Sequence, residues 1–316
     1  MAMKGKLALV TGGAGFVGSH LVEALVDRGA RVRVLDNFDR GRMAYLDAAK
    51  EKGEVEVIKG DVRNRETVRK AVKGSDYVFH EAAVCLNKSI KFPEEAIDVN
   101  IWGTTNAVLA AKEENVEKFV FASSASVYGN PRSIPMTEEH GFYPETAYCV
   151  SKIAGEHLLK IYSQDLPYVA FRYFNIYGPR QPTDAFYTSV ILSFIRRYEA
   201  KETPVIHGDG TQTMDFVHVR DVVQANMLAI EKDASREVFN VCSGAETSVN
   251  DIIHYLNEIY GRDVKPKYEP GVQVYVKRRL GSYSKIQEML GFYPSVSLKD
   301  GLYEVVKDYR KNPKMY

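Results

Sequence analysis

The first half of the chain alternates short apolar stretches with longer amphipathic ones. The apolar stretches predict six β-strands, at Leu7–Val10, Arg31–Leu35, Val55–Ile58, Tyr77–His80, Lys118–Ala122 and Tyr168–Arg172. Within each stretch the apolar residues are nearly continuous and do not alternate, which is typical of strands buried on both faces of a parallel sheet. Strands separated by helices need crossover connections, so the pattern predicts an α/β fold with a doubly wound parallel sheet.

Amphipathic segments between these strands predict helices. The first follows the first strand, carries its apolar residues on one face and ends near Gly29, which suits a helix C-terminus. Two longer segments run from about 95 to 113 and from about 146 to 162. We expect these helices to cover the faces of the sheet.

The pattern of apolar and turn-forming residues changes after Tyr173, where turn-rich clusters separate shorter elements. We interpret the last third as a smaller lobe, and the apolar stretch Val238–Val241 as a strand that returns to the main sheet. The predicted division is a sheet domain formed by 1–172 and joined by about 215–243, with a substrate-binding lobe formed by 173–214 and 244–316.

Composition and charge narrow the class of protein. The 316 residues are 45% hydrophobic and 26% charged, which is ordinary for a globular protein and argues against disorder. The formal net charge is only +1, without the basic excess typical of a nucleic-acid-binding protein. The start of the chain has no secretory pattern, and we expect no membrane span. The three cysteines and seven histidines match no disulfide or metal pattern, so we expect a cytoplasmic protein without a metal.

A glycine-rich turn follows the first predicted strand and opens the first helix. Its glycines are Gly12, Gly15 and Gly18, in the spacing G-x-x-G-x-x-G. Such glycines allow a tight turn, close approach of a pyrophosphate and close helix–strand packing, and the helix N-terminus offers free N–H groups to phosphates. A strand, this motif, a helix and a second strand in that order indicate a Rossmann-type dinucleotide site.

Two acidic residues follow the next strands. Asp36 ends the second strand, where a carboxylate accepts both ribose hydroxyls of an adenosine and repels a 2′-phosphate, so NAD is favoured over NADP. Asp61 follows the third strand and suits the amino group of adenine. Taken alone, Asp61 could equally be the cap of a helix over Asn64–Val72.

A tyrosine and a lysine four residues apart lie on one face of the helix predicted over 146–162. They are Tyr148 and Lys152. A tyrosine is a poor base at its ordinary pKa of about 10, but a nearby ammonium and a cationic nicotinamide favour the phenolate. The pair alone is weak evidence of a catalytic site, because tyrosine and lysine are common together on exposed helix faces. Ser124, which follows the fifth strand where α/β folds bind ligands, adds a hydroxyl able to hydrogen-bond a sugar oxygen.

With these residues in chain order, the sequence resembles the extended short-chain dehydrogenase/reductases, in the NAD-dependent nucleotide-sugar epimerase/dehydratase group. Within that group it is most similar to the 4-epimerases of UDP-galactose and UDP-glucose. The resemblance extends over nearly the whole chain through the segments TGGAGFVGSH, VLDNF, GDV, SSASVYG, YCVSK, RYFNIYGPRQ, GDGTQTMDFVHVRD and SLKDGL.

The resemblance implies a role for each matching residue. The residues implied to hold NAD are Gly12, Gly15, Phe16, Val17, Gly18, Asp36, Asn37, Asp61, Val62, Ala82, Tyr148 and Lys152. The residues implied to carry the reaction are Ser124 at the sugar O4, Tyr148 as the base, and Lys152 as the group that orients the ribose and lowers the tyrosine pKa. The residues implied to contact a UDP-sugar are Ser124, Ser126, Tyr148, Asn175, Arg180 and Arg279.

The residues after Ser124 help to choose the reaction. Related 4,6-dehydratases carry an Asp/Glu pair here and related UDP-glucuronate decarboxylases carry a glutamate, whereas this chain has Ala125 and Ser126. Neither residue can act as acid or base in an elimination. The resemblance therefore implies 4-epimerisation through a 4-keto sugar. Two alternatives stay open: a dehydratase or 4-keto reductase of the same family, and a non-catalytic NAD-binding regulator.

The sequence departs from the family pattern at Met214 and Ser282, as well as at Glu81. Met214 stands where the family usually has an arginine for the substrate diphosphate. We expect Lys277, Arg278 or Arg279 to supply the missing charge, with help from Arg180. Lys277 and Arg278 could equally be part of a solvated surface run. Arg279 also aligns with the position that gates the sugar C2 substituent. The usual Asp of the D-x-S-K element is Ser282.

Three further expectations concern Glu81, Cys149 and subunit assembly. Glu81 replaces the usual leucine of H-L-A-A, and a carboxylate in this loop needs a partner. We interpret Cys149 as a packed thiol. The resemblance implies a homodimer through the helices at about 95–113 and 146–162.

Overall fold

The computed structural model describes residues 3–183, 189–270 and 278–316. The strands of this part are β1 Leu7–Thr11, β2 Arg31–Asp36, β3 Val55–Lys59, β4 Tyr77–His80, β5 Lys118–Ser124, β6 Tyr168–Tyr173, β7 Asn175–Tyr177, β8 Val205–His207, β9 Thr213–Met214, β10 Phe216–His218, β11 Glu237–Val241, β12 Thr247–Ser248 and β13 Lys267–Glu269. The helices are α1 Phe16–Asp27, α2 Asp47–Lys52, α3 Arg65–Val72, α4 Leu86–Lys91, α5 Pro93–Ala96, α6 Thr104–Glu113, α7 Ala147–Ile161, α8 Val190–Glu199, α9 Val219–Glu231, α10 Val249–Tyr260, α11 Ser284–Leu290 and α12 Leu298–Lys311.

Seven parallel strands form the central sheet in the order β11-β6-β5-β4-β1-β2-β3. The six strands expected in the first half are present, and β11 pairs with β6 where the stretch Val238–Val241 was expected to return. The predicted doubly wound α/β fold is therefore confirmed. Chain order reverses between β1 and β4, which is the crevice where such sheets bind ligands.

Side chains of each central strand pack on both faces of the sheet, which explains their continuous apolar pattern. In β1, Ala8 and Val10 join the core that α1 and α9 cover, while Leu9 joins the core on the side of α3, α6 and α7. A third apolar core holds α8, α10 and α12 together in the C-terminal third. The division of the chain into a sheet domain and a smaller lobe at the stated boundaries stays a proposal.

The long helix predicted at about 95–113 is interrupted. A π-helical segment, Ile97–Gly103, lies between α5 and α6. Within it Asn100 is buried and exchanges two hydrogen bonds with the backbone of Val84, and its amide also donates to Ser151 Oγ at 3.1 Å. These contacts tie the loop after β4 to α7. Apolar periodicity does not distinguish this segment from an α-helix, so the sequence did not predict it.

A buried ion pair fastens α7 to the sheet. Arg172 of β6 donates from Nε and an NH2 nitrogen to the two carboxylate oxygens of Glu156, at 2.9 and 2.7 Å, and both side chains are 5% exposed. Ser123 Oγ of β5 donates to the same carboxylate at 2.5 Å, and Arg172 also donates to Tyr128 Oη. Since Glu156 lies one turn beyond Lys152, this network holds the helix that carries the Tyr148/Lys152 pair.

Glu156→Gln is expected to lower the free energy of unfolding by about 3 kcal/mol, because it leaves the buried guanidinium of Arg172 without its countercharge. Urea denaturation followed by circular dichroism measures the change. The matched control is Glu66→Gln, which removes the carboxylate from an exposed pair with Lys70 on α3. An equal loss in the two variants would contradict a special role for the buried pair.

Candidate active site

The glycine turn brings backbone N–H groups to the reversal point of the sheet. Gly12 has φ of +67°, and a Cβ atom there would lie 2.9 Å from the backbone of Ala82. A Cβ atom on Gly18 would overlap the carbonyl oxygen of Gly12, so α1 can approach β1 only with glycine at this position. Gly15 is the N-cap of α1 and has no side chain to occupy the helix N-terminus. The first N–H groups of α1 are thus left for an anionic ligand.

A cavity of about 820 Å³ lies over this turn. The predicted cofactor residues that line it are Gly12, Gly15, Phe16, Val17, Gly18, Asp36, Asn37, Asp61, Val62 and Ala82. The other two predicted cofactor residues, Tyr148 and Lys152, are not among its described lining residues. Cavity size, glycine turn and acidic wall together fit an extended dinucleotide.

Asp36 forms the wall of the cavity at the end of β2. Its carboxylate is buried and accepts hydrogen bonds from the backbone N–H groups of Ala14, at 2.9 Å, and Phe38, at 2.8 Å. Burial raises the pKa of Asp36, and these two hydrogen bonds oppose the rise. These bonds hold the carboxylate at the end of β2, where the sequence predicts a contact with an adenosine ribose.

Asp61 is not the cap of the following helix. The N-cap of α3 is Asn64, whose side chain accepts from the backbone N–H of Thr67. Asp61 instead accepts from Arg63 at 2.9 and 2.8 Å and from Asn37 at 3.1 Å, and hydrogen bonding to Arg63 lowers its pKa to about 2. Asp61 is therefore an ionised carboxylate at the cavity wall, and its predicted contact with adenine stays a prediction.

The Tyr148/Lys152 pair lies beside the C-terminal end of β5. Lys152 Nζ is 5.5 Å from the centre of the Tyr148 ring and donates to the carbonyl oxygen of Ala122 at 2.6 Å. Ala122 precedes Ser124 by two residues on β5, so the lysine links the tyrosine's helix to the serine's strand. Burial lowers the pKa of Lys152 to about 8, while the charges of Glu81 and Glu156 raise it. The structure thus brings the three predicted catalytic residues to one edge of the sheet.

The residues after Ser124 form a short 3₁₀ turn, Ala125–Tyr128. Ser124 Oγ accepts from the backbone N–H of Ser126, which is the local capping bond that a serine after a strand can make. Ala125 is fully buried, and the buried Oγ of Ser126 has no hydrogen-bond partner among the described residues. A buried hydroxyl of this kind is available to a ligand.

Two predicted substrate residues have protein partners. Asn175 Nδ2 donates to the backbone oxygen of Asp215 at 3.1 Å. Arg180 lies beside α1, where its guanidinium contacts Glu23 at 2.5 Å and Ser19 Oγ at 3.2 Å, and it lines the dinucleotide cavity. The structure does not pair Arg180 with the Ser124–Tyr148–Lys152 group, and its predicted contact with the substrate stays a prediction.

Two of the cations expected to compensate for Met214, Arg278 and Arg279, lie in different environments. Lys277 lies outside the described residues. Arg278 is exposed and pairs with Glu246 at 2.6 Å, as the surface alternative predicts. Arg279 is turned inward: its Nε is buried without a hydrogen-bond partner in the described part of the chain, and an NH2 nitrogen lies 3.5 Å from the carbonyl oxygen of Gly129. Burial lowers the pKa of Arg279.

Sequence reasoning missed part of the cavity wall. Tyr316, the last residue, lines the cavity, and its hydroxyl accepts from the backbone N–H of Arg180 at 3.0 Å. No motif marks this tyrosine, because only the path of the C-terminal segment brings it there. Glu81, which had no assigned role, also lines the cavity and accepts from Tyr173 Oη at 3.1 Å.

The remaining expectations concern cysteine, metal and membrane. Cys149 is buried, with Sγ 3.1 Å from Thr146 Oγ1, in the packed setting expected for it. In the ranges that the structure describes, no group of three or more His, Cys, Asp or Glu side chains is placed to hold a metal ion. No helix of those ranges has the length and apolar character needed to cross a membrane.

Known proteins resemble this chain over almost its entire length. Residues 8–242 match the model of the NAD dependent epimerase/dehydratase family. A putative UDP-glucose 4-epimerase of Methanocaldococcus jannaschii is 34% identical over 97% of this chain and 99% of its own. The structure of a UDP-N-acetylglucosamine 4-epimerase from Methanobrevibacter ruminantium M1, in complex with UDP-N-acetylmuramic acid, superposes with a TM-score of 0.93 at 34% identity, over 98% of this chain and 100% of that one.

A third similar protein was solved with the cofactor. The UDP-glucuronic acid 4-epimerase from Bacillus cereus, in complex with UDP-glucuronic acid and NAD, superposes with a TM-score of 0.88 at 30% identity, over 96% of this chain and 99% of that one. The glycine turn, the carboxylate at the end of β2 and the cavity between them agree with that cofactor. The chain belongs to the NAD-dependent epimerase/dehydratase family of nucleotide-sugar enzymes, and its cofactor is NAD.

Proposed function

We propose that this protein is an NAD-dependent 4-epimerase of a UDP-hexose, with UDP-glucose and UDP-galactose as the substrate pair. One observation carries the proposal: the Ser124–Tyr148–Lys152 group lies at the sheet edge, and neither of the two residues after Ser124 is acidic. Ala125 and Ser126 occupy the places where the dehydratases and decarboxylases of the family have their extra acid. The names of similar proteins also support a UDP-sugar, with differing sugars among them.

Tyr148, Ser124 and Lys152 have distinct roles in the proposed reaction. Tyr148, as phenolate, takes the proton of the C4 hydroxyl, and Ser124 Oγ hydrogen-bonds the same oxygen. The ammonium of Lys152, 5.5 Å from the tyrosine ring, stabilises the phenolate. NAD held in the cavity would be the acceptor of the C4 hydride and the donor that returns it. The 4-keto sugar exposes its opposite face between these events while its nucleotide stays anchored, so the C4 configuration inverts and no cofactor is consumed.

Arg279 is the cation that we assign to the substrate. Its guanidinium lies near the Gly129 carbonyl, and Gly129 ends the turn that begins at Ser124, so the charge is on the substrate side of the catalytic group. A buried guanidinium with an unpaired Nε gains a partner when an anionic substrate binds. Met214 therefore does not leave the site without a positive charge.

The homodimer is also a proposal, supported by exposed apolar side chains on the two helices that the family resemblance implies. Ile97 and Trp102 lie on the π-helical segment, and Val150 and Ile161 lie on α7; each is about half exposed or more. Two copies that bring these helices together as a four-helix bundle would cover all four side chains.

The purified protein is expected to interconvert UDP-glucose and UDP-galactose without added NAD, because the hydride returns to the sugar. Product analysis by chromatography, over a panel of UDP-sugars that includes N-acetylated and C6-oxidised ones, measures the conversion. Tyr148→Phe removes the base and is expected to lower kcat by at least about 100-fold.

The matched control is Tyr143→Phe, on the segment that leads to α7 but outside the catalytic group. Net release of NADH with no epimer would replace the proposal with a dehydrogenase, and a 4-keto-6-deoxy product would replace it with a dehydratase. Unchanged turnover in Tyr148→Phe would remove the tyrosine from the reaction.

Arg279→Ala is expected to raise the KM for the UDP-sugar by about 10- to 100-fold, the range expected when a charge-assisted hydrogen bond to an anion is lost. Steady-state kinetics measure it. Arg278→Ala is the matched control, since this neighbouring arginine is on the surface and pairs with Glu246. Equal KM values in the two variants would exclude Arg279 from the substrate site.

Trp102→Glu is expected to convert the dimer to a monomer, because a charge cannot be buried unpaired between the helices. Size-exclusion chromatography with light scattering measures the mass. Tyr303→Glu introduces the same charge at an exposed aromatic side chain of α12 and is expected to leave the dimer intact. A wild-type protein that is monomeric at micromolar concentration contradicts the proposal.

A further inference from the structure

Glu81 is an acidic side chain in the dinucleotide cavity that the epimerase chemistry does not use. It follows β4 directly, and its backbone N–H donates to the carbonyl oxygen of Thr11 at the end of β1. The residue is partly buried, and it lines the cavity over the glycine turn. A carboxylate that faces a cofactor site needs an account in terms of that cofactor.

Glu81 lies on the side of the cavity where the chemistry occurs. In the sheet, β4 is next to β5, which carries Ser124, whereas Asp36 ends β2 on the other side of β1. A dinucleotide with its adenosine at Asp36 therefore extends its nicotinamide half across β1 toward the ends of β4 and β5. The order of the strands places Glu81 beside that half.

A directed hydrogen bond makes Glu81 an acceptor. Asn226 Nδ2 donates to Tyr173 Oη at 2.8 Å, so the tyrosine oxygen is already an acceptor and its own proton is free to point elsewhere. That hydroxyl lies 3.1 Å from Glu81 Oε1 and donates to it. A donor held in this way by a second residue favours the carboxylate form of Glu81 over the acid form.

The titratable groups closest to Glu81 in space or in sequence come from three elements. Tyr173 belongs to β6 and Lys152 to α7, while His80, the preceding residue, ends β4. Burial raises the pKa of Glu81 to about 7, and the Tyr173 hydrogen bond and the charge of Lys152 oppose the rise. Burial lowers the pKa of His80 to about 3, so this imidazole is neutral and contributes no charge. Glu81 therefore changes charge in the physiological range.

We propose that Glu81 is a cofactor-binding residue that discriminates between the two oxidation states of the dinucleotide. Its carboxylate, beside the nicotinamide half, attracts the cationic oxidised ring and has no such attraction for the neutral reduced ring. A retained cofactor must return to the oxidised form after every turnover, and this carboxylate stabilises that form. The inference rests on the family's cofactor and is independent of which sugar is the substrate.

The sign of the pH dependence follows from the charge. Glu81 is ionised above its pKa, so the preference for oxidised over reduced dinucleotide grows as the pH rises through neutrality. Lys152 loses its positive charge in an overlapping range, which changes the preference in the same direction. The two groups therefore have to be separated in the test.

The test compares Lys152→Met with the double variant Lys152→Met/Glu81→Gln. Both variants lack the ammonium of Lys152, so its titration cannot contribute. Titration calorimetry with NAD⁺ and NADH alone, between pH 6 and 9, gives the ratio of the two dissociation constants after bound dinucleotide has been removed. In Lys152→Met the preference for NAD⁺ is expected to rise by about tenfold across this range, equivalent to one pKa unit of coupling. In the double variant it is expected to stay flat.

Two further variants complete the test. Tyr173→Phe, also in the Lys152→Met background, removes the donor to Glu81 and is expected to move the transition to higher pH. Glu66→Gln in that background removes an acid from the surface of α3 and is expected to leave the transition in place.

The same pH dependence with and without Glu81 would overturn the inference, as would a parallel loss of affinity for NAD⁺ and NADH with an unchanged ratio. These measurements contain no sugar. Their failure is thus distinct from failure of the epimerase proposal, which the product analysis tests.

Discussion

The arrangement of the active site depends on one buried ammonium. Lys152 donates to the carbonyl oxygen of Ala122 on β5 and belongs to the helix that carries Tyr148, so this side chain joins the Glu156–Arg172 pair in holding the helix to the strand edge. Desolvation makes this ammonium costly. The negative charges of Glu81, across the cavity edge, and Glu156, one turn along α7, offset part of this cost, and the pKa of Lys152 stays below its ordinary value. Removing the ammonium from water is also what makes it effective, because its interaction with a phenolate is stronger in a low-dielectric setting.

The two carboxylates around Lys152, those of Glu156 and Glu81, have different roles. Glu156 is committed to Arg172 and Ser123 through short hydrogen bonds and is a structural anchor. Glu81 has one hydroxyl donor and faces the cavity. Two carboxylates near one ammonium can therefore be assigned by their partners: the fully paired one holds the helix, and the one that faces the cofactor site is free to respond to the cofactor's charge.

The departures from the family pattern become intelligible once the contacts are known. Met214 lies on β9, and the adjacent Thr213 accepts the backbone N–H of Arg279 through its carbonyl oxygen. The segment that contains Met214 thus holds the backbone of Arg279. Asp215, which follows Met214, is buried and accepts hydrogen bonds from the backbone N–H groups of Ser243, Gly244 and Gly281. The bond to Gly281 fixes the chain just after Arg279. Arg279 therefore lies within the same set of packed loops as Met214.

The sequence by itself determined the parallel sheet, the glycine turn, the ends of most central strands and the Ser124–Tyr148–Lys152 group. These features depend on local patterning, on glycine conformation and on the one-turn spacing of a helix, all of which are visible in a linear chain. The ten predicted residues that line the cavity lie at strand ends, in the loops that follow them or in the first turn of α1, where motifs in the sequence mark them.

Only the tertiary structure decided the remaining features. It separated Arg278 from Arg279, which are adjacent in sequence but face solvent and protein respectively. It identified Asn64 as the cap of α3, interrupted the helix after α5 with a π segment, and brought Tyr316 to the cofactor cavity. It also gave Glu81 its partners from β6 and α7. Such contacts join residues far apart in the chain, and their energies depend on burial and direction, which no local pattern encodes.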